Sequence, residues 1–151
     1  MKKLILLLLF IPFICFGQNI PRKENPKYNR GINPEYNRGI NPEYNRGINP
    51  EHNRGINPEY NRGINPTKNS WEGKYMFNSS GDLYGILVRA SSEVYLFYIK
   101  NEWVGYFVKA GKNYNLFQIS GEWDGLYLSS NSNGGFNLFK QNGEWTSKYV
   151  N

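Results

Sequence analysis

Three glutamates recur in the C-terminal half of this chain at matching places. Glu102, Glu122 and Glu144 each precede a tryptophan and each follow a Leu-Phe pair by the same interval. Paired carboxylates are the only catalytic chemistry the composition leaves open. The sole cysteine, Cys15, lies in an apolar leader, and His52 is the only histidine. A Ser-His-Asp or Cys-His set therefore cannot be assembled. A glycosidase pair needs two unlike environments that push the two pKa values apart. Three acids in equivalent positions instead describe a structural position, so the expectation is no enzyme, no cofactor and no metal site. Asp82 and Asp124 come without calcium-loop spacing, and a lone His52 excludes copper-binding octarepeats of the prion type, which need one histidine per unit.

The elements that position these acids are set by the repeat LF-x4-EW, at Leu96-Phe97, Leu116-Phe117 and Leu138-Phe139. Each copy reads as a β-hairpin, with turns at Lys100-Asn101, Ser120-Gly121 and Asn142-Gly143. From Trp71 onward, 18 of the last 81 residues are Phe, Tyr or Trp, in short apolar runs divided by Gly, Ser and Asn. The pattern predicts eight antiparallel strands near 71 to 77, 83 to 90, 93 to 100, 102 to 109, 113 to 119, 122 to 129, 135 to 140 and 144 to 150. Connections this short leave no room for crossover helices, so the fold class is an all-β up-and-down meander, either an open twisted sheet or a small barrel.

Each turn leads into Trp-x-Gly-x-aromatic. The pattern covers Trp71 to Tyr75, Trp103 to Phe107 and Trp123 to Tyr127, with Ser147 replacing glycine between Trp145 and Tyr149. Regular alternation would put all three motif residues on one face, with a cross-strand ring covering the bare glycine. A fully buried tryptophan contributes roughly 4 kcal/mol, so four of them would hold most of the core. The alternative is an exposed aromatic platform for a ligand. Candidate core or binding aromatics are Trp71, Tyr75, Tyr95, Phe97, Tyr98, Trp103, Phe107, Trp123, Tyr127, Trp145 and Tyr149. The run Val94 to Ile99 is apolar on both faces, which requires a second cover: barrel closure, packing of the preceding segment across the sheet, or self-association. Glu-Trp pairs with nearby glycines, 20 and 22 residues apart, resemble bacterial MORN-type hairpin repeats, although the later G-x-x-x-G of that motif is missing.

Upstream, YNRGINPE recurs at Tyr28, Tyr36, Tyr44, His52 and Tyr60, after a decayed copy containing Arg22, Asn25 and Pro26. One Ile and one Tyr per eight residues offset little backbone entropy, and a proline in every unit forbids helix. The expectation is a disordered, low-complexity linker over residues 18 to 69, an extended chain of recurrent turns at Asn-Pro and Arg-Gly whose array of roughly 40 residues would reach on the order of 120 Å if fully extended. Asn-Pro-x-Tyr within it resembles the turn peptide read by phosphotyrosine-binding domains. Residues 1 to 17 carry Lys2 and Lys3, an apolar run to Phe16 and the small Gly17, the layout of a secretory signal cut after Gly17. Acylation at Cys15 would want a small residue before it, where Ile14 stands.

The formal charge of +6 lies outside residues 70 to 151, which carry seven basic and seven acidic residues; nucleic acid is thereby excluded as a partner. The expected protein is an exported, non-catalytic interaction module, secreted, periplasmic or on the cell surface, with no integral membrane segment after cleavage. Its array would serve as spacer and its β domain, residues 70 to 151, would contact a glycan or a surface protein, with self-association a further option. The alternative is an envelope-associated structural protein whose array is itself the multivalent element.

Overall fold

A computed structural model describes residues 20 to 151, so the expected signal segment lies outside the described residues. Eight antiparallel strands follow in order: β1 Gly73–Asn78, β2 Leu83–Arg89, β3 Val94–Ile99, β4 Glu102–Ala110, β5 Asn113–Gln118, β6 Trp123–Ser130, β7 Phe136–Lys140 and β8 Trp145–Val150. Each pairs with its neighbour, and β8 pairs back to β1 to close a barrel. The expected meander is thus present in its closed form.

Alternation along the strands sorts the side chains into two layers. Met76, Leu87, Phe97, Phe107, Leu116, Leu128, Leu138 and Val150, one from each strand, fill the barrel. Val88, Val94, Leu96, Tyr98, Tyr106, Val108 and Phe117 point outward and are nonetheless buried. Their cover is the octapeptide array, whose Ile48 and Ile56 join that cluster with Ile40 and Ile64 packed alongside. The doubly apolar β3 is therefore covered on one side by the barrel core and on the other by the preceding segment.

The recurrent turns expected of the array are present, but it is an ordered spiral rather than the disordered, extended linker. Every copy closes a short 3-10 turn over Arg-Gly-Ile, from Arg30–Ile32 to Arg62–Ile64. Two asparagines per repeat do what apolar residues cannot. Asn37 Oδ1 accepts from Gly39 N–H while its Nδ2 donates to Gly31 O; Asn41 Oδ1 accepts from Glu43 N–H while its Nδ2 donates to Pro34 O. Each amide thus closes its own turn and ties it to the previous one. With four backbone bonds per octapeptide, the array approaches the one bond per residue of a folded domain. The Ile-Asn-Pro side of the spiral faces the barrel, with Ile32, Asn33 and Pro34 buried, while Tyr, Arg and Glu face out.

The docking is also polar. Asn113 Nδ2 donates to Glu24 O, Asn115 Nδ2 to Ile32 O at 2.8 Å, and Ser129 Oγ to Glu24 Oε2 at 3.2 Å. The ribbon accordingly begins over β5 and β6 and crosses β4 and β3 toward β2, where Trp71 joins the outer cluster.

Candidate functional site

The tryptophans do not form the barrel core. Trp71, Trp103 and Trp123 are half-buried against the outer cluster, and Trp145 is 38 % exposed. The reason is a β-bulge after each hairpin turn. Opposite Phe97 and Tyr98, β4 supplies Gly105 and Trp103, leaving Val104 as an extra residue. β6 and β8 each insert two: Trp123 to Tyr127 spans Phe117 to Asn115, and Trp145 to Lys148 spans Phe139 to Leu138. Two extra residues preserve the face and one reverses it, so Trp103 lies outside while Phe107 lies inside. The indole N–H groups brace the bulged backbone, donating from Trp103 to Gly105 O, from Trp123 to Leu126 O and from Trp145 to Lys148 O.

Among the described residues no cross-strand ring covers the motif glycines, although the Trp71 ring of the same motif lies against Gly73. A Cβ on Gly105 would lie 2.5 Å from Phe117 O and one on Gly73 would overlap Leu87 O, so neighbouring backbone occupies the space. Gly125 instead has φ +70°.

Apart from Trp103 and Trp123, which pack against the outer cluster, the candidate aromatics divide into three groups. Phe97 and Phe107 are barrel core, and Tyr95 packs against its edge beside Tyr114. Tyr98 and Tyr127 are buried on the outside, as is Tyr106, which composition alone does not single out. Burial raises all three phenols, that of Tyr98 to about 12, and Glu51 and Glu24 of the array add to the effect at Tyr106 and Tyr127. These carboxylates approach the phenols because the array lies across the barrel.

The third group is a strip on the outer face of β1 and β8. Trp71 meets Tyr75 edge-on at 5.3 Å, Tyr75 is 6.4 Å from Phe77, and Phe77 stacks on Tyr149 at 5.6 Å. Tyr75 is 49 % exposed, although aromatic faces this large are normally covered. Beside Tyr149, a cleft of about 250 Å³ is lined by Trp145, Ser132 and Asn131, Asn133, Asn137 and Asn151. Rings with open faces beside amides and a hydroxyl can stack on an apolar face and hydrogen-bond its polar edge. Motif spacing does not single out the amide loop; its sequence signal is the Asn-Ser-Asn run from Asn131.

A second outward feature belongs to the array. Arg22, Arg30, Arg38 and Arg54 place their guanidinium groups 4.3 to 4.7 Å from the rings of Tyr28, Tyr36, Tyr44 and Tyr60. The same pairing joins successive repeats, and these tyrosines remain half-exposed.

The recurring glutamates are not brought together. Each stands at its own exposed hairpin turn, and hydrogen bonds from Lys140 and Asn142 hold the Glu144 carboxyl below its ordinary range. Among the described residues no cluster of His, Cys, Asp and Glu suits a metal, and no helix is long and apolar enough to cross a membrane. No protein-family model, curated protein or solved structure matches this chain.

Proposed function

We propose that this chain is an exported, non-catalytic interaction module whose contact surface is the aromatic strip of β1 and β8, and that the surface takes a glycan. The observation that carries the reading is the strip itself, open beside the amide-lined cleft at Tyr149 and Trp145. A pyranose offers an apolar C–H face to a ring and hydroxyls to amides, the two chemistries set side by side here. Affinity gels cast with soluble polysaccharides provide the test. Trp145→Ala and Tyr149→Ala should each weaken retardation about five- to tenfold, the equivalent of about 1 to 1.4 kcal/mol per lost stack. Retardation unchanged in both variants, or absent from every polysaccharide with the unaltered chain, sinks the reading.

The Arg-Tyr rungs support a second reading, in which the array is the multivalent contact. Replacing Tyr36, Tyr44 and Tyr60 together by alanine separates the two: it spares binding by the β1 and β8 strip and abolishes binding by the array.

A further inference from the structure

Four register slips gather at one end of the barrel. Besides Val104 on β4, the slips leave Tyr84 extra on β2, between the partners of Met76 and Phe77, and involve Asp124 on β6 and Thr146 on β8. All four residues line one cavity of about 250 Å³, floored by the core side chains Phe97, Leu116 and Leu138. Bulges at a barrel rim re-aim side chains or end the pairing. A barrel of eight strands is just wide enough to be filled by its own residues or to hold one small ligand, and here the cavity lies where the slips gather.

One residue at this mouth is unexpected on packing grounds. Lys148 pairs with inward-facing Leu138 and shares its side of the sheet, a position that belongs to the apolar interior. The Trp145 indole fixes its carbonyl, Ser147 at φ +64° turns the chain into it, and its Nζ lies 4.6 Å from the Tyr84 ring centroid. It has no carboxylate partner among the described residues, whereas Asp124 accepts a hydrogen bond from Gln118 Nε2 at 3.3 Å. The mouth therefore presents an apolar floor and two opposite charges at the rim, the Lys148 ammonium over the Tyr84 ring and the Asp124 carboxylate bonded by the neutral Gln118 amide.

We propose that this mouth is a binding site for a short amphiphilic carboxylate, its alkyl chain in the cavity and its carboxylate on Lys148. At about 30 Å³ per liquid-packed heavy atom, as in water, the cavity holds roughly eight non-hydrogen atoms. A six- to eight-carbon chain fills it, and a long-chain fatty acid is too large. A charge-assisted bond at the rim supplies preference over the corresponding alcohol.

The probes are sodium octanoate and 1-octanol, titrated into the full chain by calorimetry and followed by methyl NMR. Octanoate should bind one to one, with its terminal methyl showing NOEs to Leu138 and Leu126. Lys148→Met should weaken octanoate about tenfold and leave octanol within about twofold. Val104→Trp, at a rim position 39 % exposed, should plug the mouth against both. The NOEs need no variant, so the test survives if Val104→Trp misfolds. No saturable octanoate binding below about 10 mM overturns the proposal. So do NOEs from any other region, octanol binding as tightly as octanoate, or Lys148→Met without effect.

Discussion

The docking of the array rests on a few isoleucines, so removing two of them tests the whole arrangement. Ile48 and Ile56 are buried among Tyr98, Tyr106 and Phe117 at the centre of the ribbon. Isoleucine to alanine in a packed core costs about 2 to 5 kcal/mol. The ribbon can lift away, so the lower end applies, about 2 kcal/mol at each site. Adjacent repeats share partners and need not be additive. Ile48→Ala with Ile56→Ala should nevertheless remove about 3 to 4 kcal/mol of docking free energy, a factor of several hundred in the docked population. Amide hydrogen exchange reads this directly, since Tyr44, Asn45, Ile48 and Asn49 all donate within the array. In the unaltered chain these amides should be protected. In the double variant they should exchange several hundredfold faster, while β7 and β8, remote from the two sites, change little. Unprotected array amides in the unaltered chain would refute the docked ribbon. Protection that survives the double substitution would show that the asparagine ties alone hold the spiral and that its seat on the barrel contributes nothing.

Alkali should attack the same interface. Tyr98, Tyr106 and Tyr127 keep their protons in the folded chain above the ordinary value near 10 that they regain on unfolding. Stability is therefore whole below pH 10 and falls as pH rises toward 12, by on the order of 1 kcal/mol per tyrosine per pH unit. Urea midpoints at pH 9 and pH 11 check this, and equal midpoints contradict it. Ser147 occupies a left-handed conformation where β6 has Gly125, so Ser147→Gly should raise stability by about 0.5 to 1 kcal/mol in thermal melts. Gly73→Ala should cost about 2 kcal/mol or more, because its Cβ would meet Leu87 O; urea unfolding reads the loss.

Strand order and the turns at Lys100-Asn101, Ser120-Gly121 and Asn142-Gly143 are legible in the sequence because alternation and turn chemistry are local. The bulges are less so. Trp-x-Gly suggests a glycine under a ring until the register shows Val104 displaced and Trp103 outside. The array misleads for a specific reason. Its apolar content is indeed too low for a core of its own, but Asn37 and Asn41 each bond forward and backward at fixed spacing, which apolar counting does not register. Nor does such counting register that Val94 to Ile99 needs a partner that Ile40, Ile48, Ile56 and Ile64 supply. The two puzzles, a repeat without a core and a strand with two apolar faces, answer each other. Of the candidate site, Trp71, Tyr75, Trp145 and Tyr149 stand out from the motif alone. The meeting of the Trp71-Tyr75 pair with the Trp145-Tyr149 pair across the β1–β8 seam depends on barrel closure, which no local pattern encodes.

Docking changes what the number of octapeptides means. A stalk tolerates loss of a unit, because its ends are not tied to fixed places. A strap does not. Here Glu24 is held by Asn113 and Ser129 at one end, while Ile64 and Trp71 join the outer cluster at the other. The path between them crosses a set number of strands at about 4.8 Å each. Deleting residues 44 to 51 keeps every remaining repeat intact yet shortens the strap by one turn, so one end must let go. The released end would expose either Tyr127 near Glu24 or the part of the outer cluster that Ile64 packs against. Deletion should therefore cost about 2 kcal/mol or more in urea unfolding, through loss of a buried contact rather than of a repeat as such. Inserting one octapeptide between Glu43 and Tyr44 distinguishes the cases further. The extra turn can loop out with both ends seated, at a loop-closure cost of about 1 kcal/mol or less. A chain that tolerates both changes equally has a stalk.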